Sequence, residues 1–244
     1  MKIKPKSSGV FFPDSKKDIL KCFDEYHRRT SSHDSNLIIV PHAGYEFSGK
    51  IAFNTYSYLT KTFKNTIVIA PALYSKVYGT LSSNAEAFKT PLGNIPIKPY
   101  PTDIDNTIFK DEAALTVQLP FIKYFFPNSS ITPILYGCED FENITRIIEE
   151  NISQNAIVIV SNLSRFIPEK EALRLDTETA RKIDRLQTQD LDMELADGAV
   201  GICAAIKYAQ RSGKKFILTE QSNSAKYNND TSSVVGYGGW YLSQ

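Results

Sequence analysis

Short apolar runs divide an otherwise mixed chain. Leu37-Ile38-Ile39-Val40, Thr66-Ile67-Val68-Ile69-Ala70, Ile131 to Tyr136, Ala156-Ile157-Val158-Ile159-Val160 and Phe216-Ile217-Leu218-Thr219 are continuous, not alternating. Bounded by turn residues, such runs read as buried strands. Between them apolar side chains recur at helical spacing. The pattern predicts helices over Ser15 to Arg28, with Asp14 or Ser15 as N-cap, and over Gly49 to Thr62. Further helices are expected over Asp111 to Phe126, Phe141 to Ile152, Asp176 to Leu195 and Asp197 to Arg211, the last stopped by Gly213. Pro120 should kink or end the Asp111 helix. Thr30 to Asn36 and Pro71 to Ser83 read as connections and Thr90 to Asn94 as a turn. Prolines 96, 99 and 101 keep the next stretch extended, and Ser233 to Leu242 closes the chain as a strand.

Strands alternating with helices imply an α/β fold: a mostly parallel central sheet flanked by helices. A chain of 244 residues with net charge +1 is expected to form one domain over 1–244. Scattered Lys and Arg give no nucleic-acid footprint, and no apolar run approaches a membrane span. The first residues lack the apolar core of a signal peptide. Cys22, Cys138 and Cys203 are odd in number and far apart, which suits buried thiols in a reducing cytoplasm better than disulfides or a metal knuckle.

Parallel strands deliver their carboxyl ends to one edge, where open α/β sheets place ligand chemistry. That edge should gather His42, the Ala72-Leu73-Tyr74 segment, Asn162-Leu163-Ser164-Arg165 and Ser222-Asn223-Ser224. His42 is one of three histidines in the chain, and the glycines after it, Gly44 and Gly49, allow close backbone approach. Tyr45, Tyr74 and Tyr227 are candidates to line the crevice. Ser48 before Gly49 reads as a helix cap, since no GxSxG elbow surrounds it. Gly236-x-Gly238-Gly239 has no helix after it and is not a phosphate loop.

Eight segments in order carry a family resemblance: GVFFP at 9–13, VPHAGYEFSG at 40–49, AP-x-x-Y at 70–74 and TPLGN at 90–94. They continue with DEAALTVQLPFI at 111–122, VSNLSRF at 160–166, DGAVGICAAI at 197–206 and SSVVGYGG at 232–239. The chain resembles the Memo family, whose fold is similar to that of the class III extradiol dioxygenases. The resemblance implies a divalent metal held by two histidines and a cysteine, with acid–base residues nearby. His42 matches the first histidine. The second falls on Leu73-Tyr74, and the cysteine position is taken by Asp197 before Gly198. Asn162 stands for an aspartate and Arg165 for a histidine; the helix at 112–116 keeps Glu112 but lacks another histidine and a glutamate.

Three protein ligands and an open position are the usual minimum for a catalytic first-row metal, and His42 with Asp197 supplies two at most. His27 and His33 lie upstream with no reason to converge on the site. No cofactor is expected, and iron, copper or zinc at His42 and Asp197 is the alternative. Arg165, a permanent cation, is expected to stand where relatives place positive charge, against Asp197 or an anionic ligand. The expectation is a non-catalytic Memo-like protein whose cleft binds a small molecule or a protein partner. Its alternatives are a metal-dependent oxidoreductase with a rearranged site, and a metal-free hydrolase or lyase with His42 as base.

Overall fold

The computed structural model describes residues 1–26 and 34–243. His27, His33 and the chain on either side of Thr30 lie outside the described residues. The strands are β1 (Lys2–Ile3), β2 (Leu37–Val40), β3 (Asn65–Pro71), β4 (Thr80–Ser82), β5 (Ala87–Thr90), β6 (Gly93–Pro96), β7 (Asp103–Ile104), β8 (Ser130–Tyr136), β9 (Ala156–Val160), β10 (Arg165–Ile167), β11 (Phe216–Asn223) and β12 (Val234–Leu242). The helices are α1 (Lys16–Glu25), α2 (Lys50–Tyr56), α3 (Ala113–Thr116), α4 (Leu119–Phe125), α5 (Phe141–Asn151), α6 (Glu169–Asp184), α7 (Ala199–Ser212) and α8 (Ala225–Asn228).

Among the described residues one sheet of nine strands runs β10-β12-β2-β9-β3-β8-β4-β7, with β11 on the outer side of β12. Its centre, β2, β9, β3 and β8, is parallel. β12 runs antiparallel to β2 and β11, and β4 antiparallel to β8. Parallel pairing thus holds for the centre and gives way at the flanks.

The continuous apolar runs are explained by helices on both faces. Ile38 and Val40 of β2 point into the core under α1, α2 and α4, while Leu37 and Ile39 point into the core under α5 and α7. Neighbouring residues face opposite ways in a strand, so a sheet covered on both sides admits no polar alternation. A ring cluster fills the first core: Phe23, Tyr45 and Tyr56 pack around Phe121, Phe53 packs on Phe23, and Tyr45 stacks on Phe121 at 4.6 Å between centroids.

Several boundaries differ from the sequence pattern. The helix expected over Gly49 to Thr62 begins as a π-helical turn, Tyr45–Gly49, and ends at Tyr56. Ser48 sits inside that turn and donates to the Ala43 carbonyl, so it is not the cap. The expected helix over Asp111 to Phe126 is two short ones, and Pro120 lies in the first turn of α4, where its missing N–H breaks no bond. The helix expected over Asp176 to Leu195 is α6, which begins seven residues earlier, directly after Pro168. Leu191 and Leu195 are buried, yet they belong to turns and not to helix. β5 and β6 form a hairpin around the expected turn and pair with β1 in a small separate sheet. Among the described residues no helix is long and apolar enough to cross a membrane.

Candidate functional site

The carboxyl ends of β2 and β9 lie side by side, Val40 pairing with Val160. The residues that follow them, His42 and Ser161 to Arg165, therefore meet the start of α7. His42 Nε2 donates to Asp197 Oδ2 at 3.0 Å, and both side chains are buried. Asp197 Oδ1 accepts from the Asn162 N–H at 2.9 Å and from the Ser161 hydroxyl at 3.3 Å. The Asn162 side chain returns to β2, its Oδ1 accepting the His42 N–H at 3.0 Å. Ser161 also accepts the Gly198 N–H at 2.9 Å. A side chain at Gly198 would lie 2.4 Å from the Val160 carbonyl, so glycine is what lets α7 start this close to the sheet.

Arg165 sits at the rim. Its Nη1 is 3.9 Å from Asp197 Oδ2, an ion pair too long for a hydrogen bond, and its side chain is 31 % exposed. The backbone around it is held from two sides. Asp176 of α6 accepts the Ser164 N–H at 2.9 Å, while Gly236 of β12 exchanges backbone bonds with Leu163 and Ser164. Phe166, the next residue, takes φ 56°, which is rare for an aromatic residue, and its ring is exposed. Burial pushes the Asp176 carboxyl up to about 6, partly opposed by the Ser164 N–H.

An apolar cavity of about 430 Å³ ends at Asp197. Its walls include Leu73 and Val77 from the connection after β3, Tyr136 of β8, Met193 and Val200. Burial pushes the Tyr136 phenol far above its ordinary value, and its oxygen accepts the Gly201 N–H. The connection after β3 is fixed by Glu112, a fully buried carboxylate that accepts the Leu73 N–H at 2.9 Å and the Tyr74 N–H at 3.2 Å.

A profile of the family described as Memo-like protein matches residues 4–241. The chain belongs to the Memo family. A MEMO1 family protein of Metallosphaera sedula is 28 % identical, covering 97 % of this chain and 98 % of its own length. One from Thermoplasma acidophilum is also 28 % identical, over 97 % of each chain. One from Archaeoglobus fulgidus is 25 % identical over 96 % of this chain and 97 % of its own.

Of the residues singled out as candidates, His42, Asn162, Arg165 and Asp197 come together at the carboxyl edge of the sheet. Tyr74 is adjacent through its backbone, but its side chain is largely exposed. Tyr45 points away into the ring cluster, its hydroxyl donating to the Val117 carbonyl. Tyr227 of α8 packs edge-on against Phe47. Ser222 and Asn223 line a separate hollow with Asp176 and Lys226, so the fourth expected segment is not part of this crevice.

Ser161, Tyr136 and Asp176 carry much of this geometry without standing out as site residues in the sequence. Their partners lie 12 to 65 residues away, and no local spacing announces them. Among the described residues no three His, Cys, Asp or Glu side chains converge as a metal-binding group. Cys203 of α7 is buried, and its thiol is pushed up to about 11 by that burial.

Proposed function

We propose that this Memo-like protein is non-catalytic and binds a small molecule, or a short segment of a partner protein, in the cavity beside Asp197. The observation that carries the reading is the closed pairing of His42 with Asp197 at 3.0 Å. The donor set does not suit the family's metal. At the second-histidine position stand Leu73 and Tyr74, whose backbone is committed to Glu112. Both oxygens of Asp197 already accept hydrogen bonds, and the Arg165 guanidinium, 3.9 Å away, repels any cation brought to that carboxylate. Two donors with a fixed cation beside them do not make a tight site for iron, copper or zinc.

The cavity remains, with apolar walls and a few polar groups at its end, which is the usual composition of a ligand pocket. A panel of small apolar acids, phenols and amides, followed by ligand-observed NMR, tests the reading. Ligands are expected to bind without added metal and to weaken at least about tenfold in Val200→Trp, which fills the cavity. Binding that survives Val200→Trp, or that requires a metal, contradicts it.

A second reading rests on the same pair. Asp197 orients the imidazole through Nε2 and leaves Nδ1 as the other ring nitrogen, the arrangement of an oriented general base. Turnover of a bound ligand by the wild type and not by His42→Gln would select this metal-free chemistry.

A further inference from the structure

β11 forms one margin of the large sheet. Among the described residues it pairs with β12 alone, so one edge of an eight-residue strand carries unpaired backbone groups. The Lys215 carbonyl accepts the Ser243 N–H at 2.8 Å, and antiparallel bonding alternates along a strand. Phe216 and Leu218 therefore turn their N–H and C=O groups outward. Side chains alternate as well: Ile217 packs on the α2 side, where the Thr219 hydroxyl meets Thr55, while Phe216 belongs to the core beneath α7. Leu218 is an apolar side chain left 45 % exposed.

Sheets commonly defend such an edge with lysines and a bulge. Lys214 and Lys215 stand at its start, and the register shifts between Leu218 and Glu220. A lysine alone would repel a second copy. Glu220, further along the same strand, reverses that effect by supplying the opposite charge.

We propose that β11 is a self-pairing edge that joins two copies of this chain, antiparallel, into a two-fold dimer. In the register centred on Ile217, Phe216 and Leu218 of one copy exchange backbone hydrogen bonds with Leu218 and Phe216 of the second copy. Lys215 then stands across from Thr219 of the second copy and beside its Glu220, on the α2 side of the sheet. Symmetry forms that contact twice. The two Leu218 side chains meet diagonally on the opposite face, within reach of one another.

Light scattering on the eluting full-length protein tests this. The wild type is expected to run as a dimer at micromolar concentration. Leu218→Pro deletes an outward N–H while leaving the ladder to β12 complete, and should give a folded monomer by circular dichroism. Lys215→Glu should also give a monomer, and Lys215→Glu combined with Glu220→Lys should restore the dimer. A wild type that stays monomeric throughout, or a dimer unaffected by both single changes, overturns the proposal.

Discussion

Asp197 and Asp176 are both buried carboxylates, and their surroundings differ. Asp197 is served by a backbone N–H, a hydroxyl and an imidazole, with a guanidinium close by. Asp176 accepts the Ser164 N–H, and burial raises its carboxyl from 3.8 to about 6. Between those values the folded protein retains a proton that the unfolded chain has released. Its stabilising contribution is therefore full below about pH 4 and is lost as pH rises through about 6. A shift of roughly two units corresponds to about 3 kcal/mol. Urea unfolding at pH 4, 5, 6 and 7 should show this decline superimposed on the other titrations, and Asp176→Asn should flatten it. An unchanged slope in Asp176→Asn would remove Asp176 as its source. At this scale the sequence was informative where a residue type was itself the signal: His42, Arg165 and Asp197 stand out in motifs. Asn162 was legible as a replaced acid, but not as the bridge between β2 and α7, because its two contacts span 120 and 35 residues.

The elements aim the site through close approaches. α6 and β12 hold the segment at 163–166 between them, and the contact leaves no room for a side chain at Gly236: a Cβ there would lie 2.0 Å from Asp176 Oδ2. Gly236→Ala should therefore cost about 1–3 kcal/mol by overpacking. Shortening the opposing side chain should relieve it, so Gly236→Ala combined with Asp176→Ala should be less destabilised than the sum of the two. Strict additivity in chemical denaturation would show that the two positions do not press on one another. The central strands were readable because each is buried on both faces and lacks polar interruption. α6 was misplaced because Leu191 and Leu195 continue an apolar spacing beyond the helix, while its true start is set by Pro168 and by Glu169 and Glu171 in the first turn. The antiparallel course of β12 was not readable, since its pairing with β2 is made across about 200 residues.

On the scale of the whole molecule, the reading proposed above separates the Memo scaffold from a metal chemistry. The profile match runs from residue 4 to 241, and helices cover both faces of the sheet. Beside the carboxyl ends of its strands stand Leu73, Arg165 and Asp197, and the last two form an ion pair with His42 bonded to the same carboxylate. In the proposed function this trio takes the place of a metal centre. Elemental analysis of protein purified without chelator, then incubated with excess iron(II), copper or zinc and desalted, decides whether it does. Well below one equivalent of any of the three is the predicted result, in the wild type and in His42→Ala alike. Close to one equivalent in the wild type, lost in His42→Ala, would contradict it.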